Sequence, residues 1–432
     1  MFVRKYSPFF GVILTLSIFL IIWSLASLDD WKNNCWPLKG IGTSLGVAGY
    51  FFFSLSLLLS SRWRKLEDWI GGLDQIYHLH RQLGIWGFCL ILLHPWVEAY
   101  KWLPKHIDKF FLFTFPVHGR LSVNIGSIAF WLMVIILGIT LLKLLPYDKW
   151  KVLHKFMSVV FVLASLHILL SEKRFGSRIA QSLLLVPMAI GFFGIFYKQV
   201  FLPFFAKYSL FKVVNVKIIN DNVVEVTLNI MGKAIKFTPG QYGFFSFDGP
   251  LLTKESHPFT IIETSDDSTI IILIKARGDF TKSLYQNIKP GYLARYEGPY
   301  GRFDYSHSGD SQIWIAGGIG IVPFLAWIRA IKSSDTNLKI DLYYCIHRKE
   351  DAIFYEEFQK FSKIYSHFQC FLHCSEEGNR IDLKKILNSS RGIDSKKILM
   401  CGPMKLTSDL KKQFQILGVK KEDIYFEDFE FF

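Results

Sequence analysis

The stretch "HRQLGIWGFCLILLH", residues 80–94, is an apolar, helix-like segment with an imidazole at each end. Ionisable groups inside hydrocarbon are costly and by default mark a functional site. A rise of 1.5 Å per residue separates the two rings by ~21 Å, which suits one near each face of a bilayer core. A second segment, "HKFMSVVFVLASLH" at 154–167, repeats the arrangement with a spacing of 13 rather than 14. At ~100° per residue, 14 steps return to within about 40° of the starting face, whereas 13 steps end about 140° away. The second helix therefore needs a π-bulge, a kink or a non-helical start near His154 if both its rings are to face one partner.

Around these segments the 432-residue chain is 51% hydrophobic and holds 41 Phe. Runs free of charge cover 6–28, 40–61, 82–97, 121–142, 156–171 and 179–197. With their flanks they supply the ~20 residues a spanning helix needs, so six transmembrane helices are expected. A signal-peptide reading of the first run is disfavoured by its long apolar core and the lack of a small-residue cleavage site. Six spans put both termini on one side, and the Lys and Arg tally, 11 against 9, favours the inside.

The net charge of +14 is unevenly spread: 20 basic residues face 9 acidic ones before residue 205, and 30 face 27 after it. The excess lies in membrane-flanking loops, where lipid headgroups are the partner; nucleic acid is not expected. The six Cys form no C-x-x-C or zinc spacing. Cys345, Cys370, Cys374 and Cys401 fit a reduced, cytosolic setting.

Four imidazoles on two helices, His80, His94, His154 and His167, form a haem-ligand pattern. Neutral imidazole is a good axial ligand, and facing helices can supply both ligands to each of two haems. His78 competes with His80, and spacing favours His80. Phe161 lies between the two depths, where core packing accounts for it.

After Phe205 the pattern shifts to short alternating segments such as "VVNVKII", "NVVEVTLNI" and "TIIILIKAR". These predict a small antiparallel β-barrel. From Ser311 strand-like and helix-like segments alternate, implying βαβ units on a parallel sheet. The expected fold is a multidomain membrane protein: a six-helix all-α transmembrane domain over 1–204, an antiparallel β-barrel FAD domain over 205–308, and an α/β parallel-sheet nucleotide-binding domain over 309–432.

Three groups of motifs carry the cofactor reading. "FTPGQYGFF" (237–245) precedes "SHPFT" (256–260), where the backbone of His257, Pro258 and Phe259 and the Thr260 hydroxyl can meet a flavin. "KARGDFTKSL" (275–284) adds Lys275, Gly278 for close backbone approach, Thr281 as a hydroxyl donor, and a helix start suited to pyrophosphate. "IAGGIGIVPF" (315–324) places Gly317, Gly318, Ile319 and Gly320 between a strand and a helix with proline in its first turn. "LMCGPM" (399–404) sets Cys401, Gly402 and Pro403 at the end of a later strand, where open parallel sheets bind ligands. In "CIHRKED" (345–351), His347, Arg348 and Lys349 stand where NAD sites carry an acid, which suits the 2′-phosphate of NADPH, with NADH the alternative. Glu350 and Asp351 partly cancel that charge.

With these residues in place the chain resembles the NADPH oxidase and ferric reductase family, in a prokaryotic form, over nearly its whole length. The resemblance implies that His80 pairs with His154 on an inner haem b and His94 with His167 on an outer one. It implies a ferredoxin-reductase type FAD barrel, Cys401 near the nicotinamide, and terminal Phe432 stacked on the isoalloxazine until nicotinamide displaces it. The chain has no regulatory EF-hand, so no obligatory cytosolic activator is expected. The residue four after His94 is Glu98, and the outer-side groups that eukaryotic oxidases use near oxygen are not recovered.

The resemblance thus implies an oxidoreductase in an inner or plasma membrane, its dehydrogenase part cytosolic. Electrons would pass from NADPH through FAD and two haems to O2, giving superoxide. A ferric chelate is the alternative acceptor on the same path. A reading from another class is a proton-conducting transport protein with a regulatory nucleotide-binding domain.

Overall fold

The computed structural model describes residues 8–27, 37–171, 178–205, 208–263, 268–306, 309–331, 338–389 and 396–427. The chain divides into two compact units, Met1–Ala206 and Lys207–Phe432.

The first unit is helical: α1 (Pro8–Ala26), α2 (Pro37–Leu59), α3 (Leu73–Ala99), α4 (Leu121–Leu141), α5 (Tyr147–Lys155), α6 (Met157–Leu170) and α7 (Arg178–Phe196). Among the described residues five helical stretches are long and apolar enough to cross a membrane: Gly40–Leu59, Leu73–Trp102, Leu121–Leu141, Lys149–Leu170 and Arg178–Phe201. The sixth of the expected spans corresponds to α1, whose described apolar stretch, Phe9–Leu25, is at the short end of the spanning range.

Helices α2 and α3 meet at small residues. A Cβ built on Gly49 would lie 2.5 Å from Ile91 Cγ1 and 3.1 Å from the Gly87 oxygen. Without side chains at Gly49 and Gly87 the backbones come close, the usual route to tight packing where lipid supplies no hydrophobic drive. This approach brings the α3 histidines within reach of α2 carbonyls.

The 13-residue phase problem is met by an interruption. Phe156 has φ −66° and ψ −8° and separates α5 from α6. Its N–H bonds the Leu153 oxygen at 3.0 Å, one residue short of the α-helical partner, which tightens the turn between His154 and His167.

The second unit opens with seven strands: β1 (Ser209–Asn220), β2 (Val223–Ile230), β3 (Tyr242–Asp248), β4 (His257–Thr260), β5 (Ile262–Glu263), β6 (Thr269–Lys275) and β7 (Leu293–Tyr300). They form one antiparallel sheet in the order β4-β3-β7-β1-β2-β6-β5. The edge strands β4 and β5 are separated only by Ile261, so the sheet must curl on itself. The expected barrel is thereby corrected: among the described residues the chain at Ile261, rather than a strand ladder, joins the two edges. Inside the curl, Phe211, Val213, Val224, Val226, Phe245 and Phe247 are buried, each large apolar side chain contributing about 1.5–3 kcal/mol.

Five further strands, β8 (Ser311–Gly317), β9 (Lys339–Ile346), β10 (Phe368–Cys374), β11 (Lys397–Cys401) and β12 (Ile424–Glu427), form a parallel sheet in the order β10-β9-β8-β11-β12. The winding reverses between β8 and β11, and ligands bind beyond the strand carboxyl ends at such a switch point. Helix α8 (Asp279–Asn287) follows β6, α9 (Val322–Ala330) follows β8, α10 (Tyr355–Ile364) follows β9, and α11 (Met404–Ile416) follows β11. A hydrogen bond from α9 ties the parallel-sheet part to the loop before β3. Trp327 Nε1 donates to the Pro239 oxygen at 3.0 Å. Gly240, at φ +91°, leaves room for the indole, since a Cβ there would lie 2.4 Å from Nε1.

Candidate functional site

Three of the four candidate imidazoles are held the same way. His94 Nδ1 lies 2.7 Å from the Gly42 oxygen, His167 Nδ1 2.6 Å from the Ser122 oxygen, and His80 Nδ1 2.8 Å from the Ser56 oxygen. A carbonyl only accepts, so each Nδ1 carries the proton and donates it. That fixes the tautomer and leaves Nε2 with the lone pair a metal needs. Two glycines make room. A Cβ on Gly46 would lie 3.0 Å from His94 Nδ1, and one on Gly126 would lie 2.6 Å from His167 Nδ1. Each glycine sits four residues after the accepting carbonyl, on the same helical face. The competitor His78 is exposed on α3.

The His80 and His154 rings are 6.3 Å apart between centroids with planes at 78°. Metal–nitrogen bonds of ~2.0–2.1 Å place two imidazoles sharing one ion about 6–6.5 Å apart between ring centres. The spacing of this pair would suit two imidazoles holding one metal ion between them. His154 Nδ1 is buried with no hydrogen-bond partner among the described residues. His94 and His167 line one cavity of about 170 Å³, with Tyr50, Phe130 and Met133 among its apolar walls. Phe161 is fully buried. It stacks on Tyr50 at 5.0 Å and 4°, and meets Phe53 edge-on at 5.4 Å. Gly191 makes space for it.

In the second unit, His257 stacks on Phe280 with centroids 3.9 Å apart, and its Nε2–H donates to Glu255 Oε2 at 2.9 Å. Pro258, Phe259 and Thr260 pair with Phe244, Gly243 and Tyr242 of β3, and Thr260 is buried. Thr281 differs from expectation. Its Oγ1 accepts from the Arg277 and Gly278 amides at 3.0 and 3.1 Å and donates to the Gly278 oxygen at 3.1 Å. The hydroxyl thus caps the start of α8.

The two glycine motifs press on each other at the switch point. A Cβ on Gly320 would lie 2.3 Å from the Cys401 oxygen, one on Gly317 would lie 2.7 Å from Pro403 Cδ, and one on Gly402 would lie 2.8 Å from Gly317 Cα. The Gly317–Ile321 turn, with Gly318 at φ +55° and Ile319 between glycines, leads into α9. Lys275 Nζ would lie 3.9 Å from a Cβ on Gly318, so Lys275 from the antiparallel sheet reaches this loop. The Cys401 side chain is fully buried.

At the end of β9, Arg348 Nη2 is 3.4 Å from Asp351 Oδ1. Burial opposes ionisation of Asp351, but the Arg348 hydrogen bond and the Lys275 charge outweigh it and hold its carboxyl below the usual range. Part of the expected basic cluster is therefore neutralised. His347 Nδ1 lies 3.0 Å from Ser375 Oγ, and Lys349 opens the short turn Lys349–Asp351. Phe432 lies outside the described residues. Sequence reasoning missed the carbonyl acceptors and Gly46 and Gly126. A small residue four positions after a potential acceptor, inside an apolar helix, is the signal that could have found them.

Comparison with known proteins agrees with this layout. A ferric reductase like transmembrane component matches residues 45–165, an FAD-binding domain matches 208–304, and an oxidoreductase NAD-binding domain matches 314–412. Fold and matches together define a multi-pass membrane protein with an FAD-binding and an NAD-binding domain. Domain by domain the chain is similar to the ferric reductase type of transmembrane flavoproteins.

It is 29% identical over 140 residues to ferric reductase transmembrane component 5 of Saccharomyces cerevisiae, covering 30% of this chain and 20% of that protein. It is 23% identical over 328 residues to ferric reduction oxidase 4 of Arabidopsis thaliana, covering 71% of this chain and 40% of that protein. These matches span well under half of the relatives' own length. A flavohemoglobin structure from Malassezia yamatoensis with bound FAD and heme shares the fold at TM-score 0.50 and 16% identity, over 79% of this chain and 94% of that one.

Proposed function

We propose that the protein moves electrons from NADPH, through FAD and two b-type haems, to an acceptor on the opposite membrane face, with O2 reduced to superoxide. The observation that carries this reading is the set of Nδ1–carbonyl hydrogen bonds, which leaves Nε2 available on His80, His94 and His167. Six spans, with α1 as the sixth, would put both termini beside the cytosolic dehydrogenase part. Domains at 1–204, 205–308 and 309–432 suit that arrangement. The membrane is read as an inner or plasma membrane.

His80 with His154, and His94 with His167, would hold the haems. His257–Thr260, Lys275 and Gly278 would hold FAD, with Thr281 shaping that loop by capping α8, and the touching loops Gly317–Gly320 and Cys401–Pro403 would receive the nucleotide. When bound, the flavin supplies conversion of a hydride into single electrons and the haems supply one-electron carriage. With His80, His94, His154 and His167 all given to holding the haems, the acceptor would be reduced without a bond to iron. Arg348 and Lys349 favour NADPH, and Cys401 and Phe432 would flank the nicotinamide and the isoalloxazine.

The test is NADPH consumption by purified, haem-loaded protein with O2 present and absent, alongside superoxide-dismutase-sensitive cytochrome c reduction. Absence of a reducible b-type Soret band would overturn the electron path. Fast ferrozine-detected iron reduction without superoxide would replace O2 by a ferric chelate, a second reading favoured by the names of the Saccharomyces and Arabidopsis relatives.

A further inference from the structure

We infer that Glu98 is a specificity-determining carboxylate that turns anionic acceptors away from the haem that His94 and His167 would hold in this cavity and favours a neutral acceptor there. The inference rests on the proposed function and deepens it. Glu98 lines the same cavity as both histidines, one helical turn beyond His94. Thr43 Oγ1 donates to its Oε1 at 3.0 Å. The carboxylate lies over Gly42, where a Cβ would fall 2.9 Å from Oε1. The oxygen of that same Gly42 accepts from His94 Nδ1. One turn of α2 thus seats both the imidazole and the carboxylate.

Among the described residues Glu98 forms no salt bridge. The walls around it are mostly apolar, and charge acts further in a low-dielectric setting than in water. Phe113 and Thr114 also line the cavity. They are anchored by Trp131 Nε1 donating to the Thr114 oxygen at 2.9 Å, and by Asn124 clamping the His118 backbone at 2.8 and 2.7 Å. An anion approaching that haem is repelled by Glu98, whereas a neutral molecule meets no such penalty. The chemistry this suits is NAD(P)H + 2 O2 → NAD(P)+ + H+ + 2 superoxide, in which a neutral acceptor gains one electron and leaves as an anion.

The experiment uses the full chain loaded with haem and FAD. Steady-state kcat/KM is measured for O2, for the ferric–EDTA anion and for the hexaammineruthenium(III) cation. Glu98→Gln is expected to raise the ferric–EDTA value relative to O2 by about tenfold and to lower that of the ruthenium cation. Glu98→Asp should keep the wild-type order. With ferric–EDTA the wild-type rate should climb with ionic strength, and the Gln variant should lose that dependence. Apart from turnover, spectroelectrochemical titration should show one haem potential moving positive in the Gln variant and not in the Asp variant.

A common factor for all three acceptors, or an unchanged charge order, overturns the inference. If Glu98→Gln does not load haem, Thr43→Val, which releases the carboxylate from its hydroxyl, should weaken the discrimination in the same direction; unaltered discrimination there is equally fatal. Failure of NADPH to reduce the haems of the wild-type protein without O2 would instead sink the electron path itself.

Discussion

Gly126 stands against the ring of His167: a Cβ built there would lie 2.6 Å from Nδ1, at the point where that nitrogen donates to the Ser122 oxygen. Adding one methyl group must move the imidazole or break its hydrogen bond. Overpacking of this kind costs about 1–3 kcal/mol. Gly126→Ala should therefore lose the haem proposed for His94 and His167 and keep the other proposed haem, halving the haem-to-protein ratio in a pyridine haemochrome assay. A full haem complement with unchanged spectra would show that the ring tolerates the methyl group.

His94→Leu removes one Nε2 and leaves the second unit untouched. NADPH should still bleach the flavin at the wild-type rate under anaerobic stopped flow, while acceptor reduction falls to background. Loss of both activities would contradict the assigned order of carriers.

Gly320→Ala sets a Cβ 2.3 Å from the Cys401 oxygen, backbone that cannot swing aside as a side chain would. The two loops should part, and NADPH binding by calorimetry should weaken by at least about tenfold, ~1.4 kcal/mol. Flavin content should stay at the wild-type level. An unchanged Kd would remove these loops from the nucleotide site.

Arg348 and Asp351 form a half-buried pair that screens the charge proposed to meet a 2′-phosphate. Arg348→Ala should lower the NADPH to NADH ratio of kcat/KM by about tenfold, because guanidinium–phosphate bonds are charge-assisted. Asp351→Asn should raise it. Equal ratios in all three proteins would locate the coenzyme preference elsewhere.

Trp327→Phe deletes the N–H that satisfies the Pro239 oxygen while keeping most of the ring contacts. An acceptor left without its partner costs about 1–3 kcal/mol. The flavin-release temperature should fall, and Gly240→Ala, whose Cβ would strike the same indole, should lower it too.

Membrane insertion was legible because charge-free runs near helix-spanning length have no other economical solution. The histidine depths were legible because rise per residue converts spacing into distance. The interruption at Phe156 also follows from phase: 13 residues of regular helix cannot aim both rings one way. Thr281 was harder to read, since a hydroxyl after glycine can meet a ligand or cap its own helix, and here it caps. The net effect of "HRKED" was equally hidden, because whether Asp351 folds back on Arg348 depends on the turn between them.

By itself the sequence determined a lipid-embedded helical part, four imidazoles at two depths, and the order of an FAD-type sheet and a nucleotide-type sheet. Apolar run length, helical rise and glycine spacing are local properties. Only the tertiary structure decided which nitrogen of His80, His94 and His167 donates to backbone, and which residues share the cavity of His94 and His167. Those answers depend on partners distant in the chain: Gly42 for His94, Ser122 for His167, and Cys401 for Gly320. A carbonyl on a neighbouring helix sets the tautomer, and the absence of a Cβ on that helix sets how near the ring can come. Neither is encoded within reach of the histidine itself.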